Sequence, residues 1–251
     1  MVDTTWLDAH GYDRKLRDKY LASGWLHHVS RSLYARPAAD LRPGATSKQP
    51  LEWQRVVTSL QLLMDSDITV GGRTALEEQG FAHYLPTGSR EVHLYASVFP
   101  GWLATVPTNA RLIQHKTERL FPATPGEGAM AYEPGMMILP LRQSIPERAV
   151  LQLLEELPNR ESFEQVDALF SGLGTLRPAR LQAQLELCRS IKVKRLFFVY
   201  ADRHNHAWFK HLDRSRIDLG SGKRALVEHG RYDSKYRITV PEFLLKSEDD
   251  L

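Results

Sequence analysis

Two glycines do most to limit how this chain can begin. Gly11 and Gly24 divide the stretch from Trp6 to Pro37 into short pieces, because glycine admits the sharp turns that separate or end helices. Trp6 to Ala9 predicts a brief helix that breaks at His10-Gly11, and a second helix is expected from about Tyr12 to Ser23. At about 100° per residue, Tyr12, Leu16 and Tyr20 share one face, while Arg14, Arg17, Asp18 and Leu21 point the other way with Lys15 at the flank. The apolar face should pack and the basic face stand free. After Ser23-Gly24, the segments Trp25 to Val29 and Leu33 to Arg36 have strand character and are joined by Ser30-Arg31-Ser32, a hairpin with Arg31 at its tip. This order permits a winged helix-turn-helix, in which the second helix enters the major groove and a basic wing tip lies near phosphate or the minor groove. The same spacing also fits a small helical cap with a solvated charged face.

Composition sets the outer limits. With 251 residues the chain has room for one large domain or two to three small ones. Its 42% hydrophobic and 25% charged residues are those of an ordinary soluble protein. No apolar run reaches the roughly 18 residues of a membrane span, and the start is not a signal peptide, so a bacterial cytoplasm is expected. The single cysteine, Cys188, excludes an intrachain disulfide and fits a reducing compartment. In a Leu-rich helix it reads as a buried small side chain. Charge is uneven: residues 1–50 carry a net +3, 51–176 a net −6, 177–246 a net +9 and the last five −3. The basic third section suggests an anionic partner, either nucleic acid or an acidic protein face.

Punctuation divides the chain into modules. Pro37, Pro43, Gly44 and Pro50 stand among Ala, Ser and Thr, so a linker is placed at 41–50 between a DNA-binding head at 1–40 and a body. Within a mixed α/β module at 51–143, one helix face carries Trp53, Val56, Val57, Leu60, Leu63 and Met64 and stops near Asp65. Ile68 to Val70, Glu91 to Ala96 and Arg111 to Lys116 are expected strands. Thr74-Ala-Leu-Glu77 has a capping-box pattern, and Gly80 is placed to end that helix.

From Ser144 the period changes, opening a helical module with a terminal hairpin at 144–251. Ser144 to Glu147 and Ser162 to Gln165 also have capping-box patterns, and Pro178 sits at a first helical position. Three helices joined by short loops make a bundle. Val193 to Arg203 is helix or strand by pattern, with helix favoured because Leu196, Val199, Tyr200 and Arg203 fall on one side. Arg224 to Val227 and Tyr236 to Val240 should form the hairpin. The fold class is α+β.

Several catalytic patterns fail on spacing. Gly220-Ser-Gly-Lys-Arg224 lacks the earlier glycine of a Walker loop, where Ile217 stands, and the hydroxyl residue after the lysine. Val70-Gly71-Gly72 suggests the opening of a nucleotidyltransferase, but the strand that follows offers Glu91 and His93 instead of two metal-holding acids. His204, His206 and His211 have no sulfur or acidic ligand to complete a zinc set. No catalytic residue, metal or cofactor is assigned.

Trp6-Leu7, Gly11, Lys19-Tyr20, Ser23 to Leu26, Arg31 and Leu33 to Pro37 resemble the N-terminal domain of AbiEi-type regulators, the antitoxin members of type IV abortive-infection toxin–antitoxin systems. Two further blocks agree in order: Val70 to Leu76 with Gly80 and His83-Tyr84-Leu85, and Val193 to Phe197 with Leu219 to Arg224. Two departures stand out. The family pattern usually has a helix ahead of the Trp-Leu element, and Ser32 stands where a wing-turn glycine is common.

The resemblance implies a non-enzymatic DNA-binding repressor of its own operon, acting on inverted repeats with a homodimer possible on DNA. It also implies a body that counters an AbiEii-like nucleotidyltransferase toxin without a stable complex. On charge, Arg14, Lys15 and Arg17 are the helix candidates for DNA contact, with Arg31 and His28 from the wing. Lys192, Lys194, Arg195, Lys223 and Arg224 are the candidates for antitoxicity. A retained or degenerate nucleotidyltransferase, and a regulator with no toxin partner, are the alternatives.

Overall fold

The computed structural model describes residues 1–37, 50–81, 90–122, 128–132 and 141–245. The expected linker, apart from Pro50, the His83-Tyr84-Leu85 block and the acidic last five residues lie outside them. The described residues are α+β. They fall into two compact units, each discontinuous in sequence: Met1–Thr69 with Pro86–His115 and Ala131–Arg142, and Val70–Leu85 with Lys116–Met130 and Gln143–Leu251. Modules drawn from punctuation are contiguous, whereas these units interleave.

The first unit begins with β1 (Val2–Asp3), α1 (Thr4–Ala9), α2 (Arg14–Ala22), β2 (His27–Ser30) and β3 (Leu33–Ala35). The expected two helices and hairpin are present. An extra strand, β1, lies antiparallel to β3 and makes it the centre of a β1-β3-β2 sheet. Leu33, Tyr34 and Ala35 are all buried instead of alternating, so both faces of this strand are covered as well as both edges.

α3 (Trp53–Leu62) follows, with Trp53, Val56, Val57 and Leu60 buried as expected. Leu63 does not join them. The helix ends one residue earlier and leaves Leu63 46% exposed, with Asp65 in the left-handed region at φ +46°. Buried Gln61 completes the turn, donating to the carbonyls of Ile68 and Arg142 and accepting from the Arg142 amide at 2.8 Å. β4 (Thr69–Val70), β5 (Glu91–Ala96), β6 (Arg111–Lys116), β7 (Ala129–Tyr132) and β8 (Leu141–Ser144) form a sheet ordered β6-β5-β4-β8-β7, with Val70 parallel to Gln143.

The second unit is mainly helical. α4 (Gly72–Glu78) is capped by Gly71, so Thr74 lies inside the helix and is fully buried, which corrects the capping box expected there. The entry is made by Gly72 at φ +55°, a conformation open to glycine, whose amide donates to buried Gln152 at 3.0 Å. Ser144 likewise lies one residue before the true cap of α5 (Pro146–Glu155), Ile145. Glu147, freed from that cap, accepts instead from the Arg177 amide at 2.8 Å. The Ser162 cap of α6 (Phe163–Ser171) and the Pro178 start of α7 (Pro178–Leu187) are as the sequence predicts.

α8 (Ile191–His204) is a helix whose residues Val193 to Ala201 are all buried. α5 packs on α4, α7 and α8, and α6 packs on α8, so the expected three-helix bundle gains a central fourth member. A helix covered on all sides has no clean polar face, and that explains the ambiguous pattern of this segment. The terminal hairpin is corrected. β9 (Arg224–Ala225) runs parallel to β11 (Ile238–Val240), and the antiparallel partner of β11 is β10 (Arg231–Asp233). The tight turn belongs to that pair: Asp233 accepts from the Tyr236 amide at 2.8 Å and Arg237 takes φ +54°. No helix among the described residues is long and apolar enough to cross a membrane.

Candidate functional site

The head is built around the turn between α1 and α2. Asp3 caps α1 by accepting from the Trp6 amide at 2.8 Å, and Asp13 caps α2 by accepting from the Leu16 amide at 2.8 Å; each cap satisfies an amide that the helix cannot. Between them Gly11 takes φ +81°. Trp6 stacks on His10 with ring centres 3.8 Å apart, and Val2, Leu7 and Tyr34 form a small core against Trp6, Tyr12 and Leu21. Leu21 therefore faces inward, contrary to its expected place on the free face.

Arg14 and Lys15 are exposed on α2, but Arg17 is not. Its side chain is 10% exposed and its guanidinium pairs with Asp8 of α1. The expectation of a wholly free basic face fails here because α1 returns against α2 after only a short turn, covering the long aliphatic stem of Arg17. Arg31 is exposed in the turn between β2 and β3. His28 is exposed opposite Tyr34 in the ladder, their ring centres 4.6 Å apart. Three more exposed residues join this surface: Lys19, Trp25 at 62% exposure, and Arg36, whose guanidinium lies 5.8 Å from the Trp25 ring centre. Charge in α2 and the wing tip did not single them out. The available signal was that Trp25 and Arg36 hold the matching outer ends of the two strand segments.

The basic candidates of the second unit separate by burial. Lys192 donates to the carbonyls of Glu155 and Leu157 at 2.5 and 3.0 Å and pairs with the Glu155 carboxylate at 3.1 Å, closing the end of α5. Lys194 and Arg195 are buried. The expected basic surface on α8 is thus corrected: the helix is central, so Lys192 and Arg195 serve internal acceptors and Lys194 is buried. Lys223 and Arg224 are exposed, with the Lys223 ammonium 5.3 Å from the Tyr232 ring centre.

The other chemistry-bearing groups have defined surroundings. His204 shares one oxygen of Asp167 with Arg203, at 2.7 and 2.9 Å, His206 donates to the Phe170 carbonyl at 2.9 Å, and His211 is exposed. Glu91 pairs with Arg111 at 3.2 Å, and His93 meets His115 at 3.0 Å between ring nitrogens. Burial pushes the Cys188 thiol up to about 11, which keeps it in the weakly nucleophilic thiol form near neutral pH.

A family model for the transcriptional regulator, AbiEi antitoxin, of type IV toxin–antitoxin systems matches residues 89–241, and a model for the AbiEi antitoxin N-terminal domain matches residues 1–87. The chain belongs to the AbiEi antitoxin family. It is a transcriptional regulator and antitoxin of a type IV toxin–antitoxin system. The N-terminal match covers all the exposed cations of the head and extends over α4, and the second runs from β5 through β11. No curated protein matches the sequence. Among solved structures, the RV2827C protein from Mycobacterium tuberculosis is similar, with a TM-score of 0.56 and 14% identity over 91% of this chain and 80% of that one. That likeness concerns the fold.

Proposed function

We propose that this AbiEi protein is a non-enzymatic repressor of its own operon, binding inverted-repeat operator DNA as a homodimer through a winged helix-turn-helix head. Its second activity opposes a nucleotidyltransferase-like toxin without forming a stable complex with it. The observation that carries the DNA-binding part is the division of labour on α2: Arg14 and Lys15 face solvent, while Arg17 ties α2 to α1. A recognition helix needs both a free polar face and a fixed orientation. Arg31, at the tip of the β2–β3 hairpin, stands on the part of the motif that reaches phosphate or the minor groove, and His28 and the Trp25–Arg36 pair widen that surface. The antitoxin part is assigned to the exposed cations of the second unit, Lys223 and Arg224 foremost.

The deciding experiment is a mobility-shift titration with the DNA upstream of the gene, run beside a toxin-rescue assay in which the protein is expressed from an unrelated promoter. Arg14→Ala with Lys15→Ala should weaken the shift at least tenfold at moderate salt and preserve rescue. A normal shift by that variant would refute the recognition-helix assignment. Loss of rescue by a folded protein would refute the separation of the two activities.

A further inference from the structure

Arg195 is buried to 2% exposure, yet all its acceptors are neutral. Its Nε donates to the Leu219 carbonyl at 2.7 Å, and its Nη1 to the carbonyls of Gly222 and Arg237 at 2.5 and 2.9 Å. Among the described residues, no carboxylate lies within ion-pairing distance of this guanidinium, and Nη2 has no acceptor. Buried charges ordinarily have a charged partner. Here the neighbouring charges are mostly of the same sign. Burial first, and then repulsion from Arg224 and Arg237, lowers the pKa of Arg195.

The loop over Arg195 is Leu219-Gly-Ser-Gly-Lys-Arg224. Arg237 donates to the Ser221 carbonyl at 2.8 Å, so two guanidiniums between them hold the carbonyls of residues 219, 221 and 222. Gly220 lies close to the same arginine: a Cβ there would come within 3.6 Å of Nη2 and 3.3 Å of Ile191. The Gly220 amide is taken by the Asp218 carboxylate at 2.8 Å and the Arg224 amide by the Arg237 carbonyl at 3.1 Å. The three successive amides between them, of Ser221, Gly222 and Lys223, donate to no acceptor among the described residues, and all three residues are exposed. A run of free amides beside fixed cations is the chemistry of an anion-binding nest. The carboxylate that acts on Arg195 is that of exposed Asp218, against the like charges of Arg224 and Arg237.

We infer that the Leu219–Arg224 loop, with Arg195 beneath it and Arg237 beside it, binds the phosphoryl group of a small polyphosphate or nucleotide. A compact anion fits better than a nucleic-acid strand, because the three free amides, Lys223 and Arg224 all belong to one six-residue loop, whereas a phosphate backbone is held by cations spaced along its length. The loop is no Walker motif, since Arg224 stands where that motif needs a magnesium-binding hydroxyl; the role assigned to it is binding. This goes beyond the antitoxin reading of the surrounding surface and does not depend on it.

The test is calorimetric titration of the full chain with inorganic pyrophosphate, ATP and a non-operator DNA duplex at matched ionic strength, repeated with Arg224→Gln plus Arg237→Gln. Both substituted side chains are exposed and the Arg237–Ser221 bond lost with them is at the surface, so the variant should stay folded and melt within a few degrees of the parent. Saturable binding of pyrophosphate or ATP, weakened at least tenfold in the variant, is expected. Similar affinities for the two would mean that phosphate suffices, and much tighter ATP binding would identify a nucleotide. Absence of both, or equal binding by parent and variant, would overturn the inference. So would a dependence confined to the duplex, which would assign the patch to nucleic acid. Toxin rescue by the variant is scored separately, so that loss of rescue without pyrophosphate or ATP binding sinks this inference and leaves the antitoxin reading standing.

Discussion

Arg17 of α2 donates to the carboxylate of Asp8 on α1, so one of the three cations that the helical wheel groups together is spent inside the head. Arg17→Ala should therefore lower stability. The expected cost is about 1 kcal/mol, kept small because Asp8 is 55% exposed and water screens the pair. Arg14→Ala with Lys15→Ala should leave thermal melting unchanged. It should reduce the dependence of operator affinity on salt, with the slope of log K against log salt falling by about 2 if both contact phosphate. Circular-dichroism melts and mobility shifts at several salt concentrations check both. Normal stability with lost binding in Arg17→Ala would show that Arg17 reaches the DNA instead.

The head is tied to the rest of its unit. The N-terminal amine donates to the Ser59 hydroxyl at 3.1 Å, and the Trp102 indole donates at 3.1 Å to Asp3, the residue that caps α1. Residues 1–45 expressed alone lose both ties and hold only a small core, so they should show no cooperative melt. In the full chain, Trp102→Phe removes one hydrogen bond and should cost about 1 kcal/mol. A sharp monomeric melt of the fragment would contradict this account.

The parts of this fold that were legible in the sequence are those that depend on neighbours in the chain. Gly11 and Ser23-Gly24 mark the head helices through local turn chemistry, and the same is true of the Ser162 cap and the Pro178 start farther on, whereas the Asp13 cap of α2 was missed. The readings that failed depended on distant partners. Thr74 and Ser144 carry capping-box patterns, but Gln152 takes the Gly72 amide and Arg177 takes Glu147. The two-residue strand β1 is too short for any periodicity. At the sites, charge located Arg14, Lys15 and Arg31 on the surface, yet it could not separate Lys223 and Arg224 from Lys192, Lys194 and Arg195, because only the central position of α8 decides which of them meet water.

His27 gives the head a pH dependence. Burial, followed by repulsion from Arg55 and His28, lowers its pKa from 6.5. The folded head thus binds fewer protons at this site than the unfolded chain, and stability rises with pH through the window below about 6.5. The contribution is complete above the unfolded value and is lost as pH falls toward the lowered folded one. Denaturant melts between pH 7.5 and 5 should show destabilisation on acidification that His27→Gln reduces. An unchanged profile in that variant would assign the effect elsewhere.

The basic surplus of residues 177–246 can now be divided for a charge-reversal test of antitoxicity. Lys192 holds two carbonyls and a carboxylate at the end of α5, so Lys192→Glu would set a negative charge against Glu155 and against carbonyl oxygens. Breaking such an enclosed pair typically costs about 3 to 5 kcal/mol, and this variant should fold poorly whatever its role. Lys210, Lys223 and Arg224 are exposed and have no carboxylate partner among the described residues. Replacing all three with Glu changes the surface charge by about six units, enough to repel an anionic partner, while exposed sites of this kind usually tolerate substitution with small stability effects. The triple variant should melt within a few degrees of the parent, shift operator DNA through its intact head, and fail to rescue cells expressing the toxin. Full rescue by the folded triple variant would remove this face from the antitoxin reading, and lost operator binding with intact rescue would move it onto the DNA.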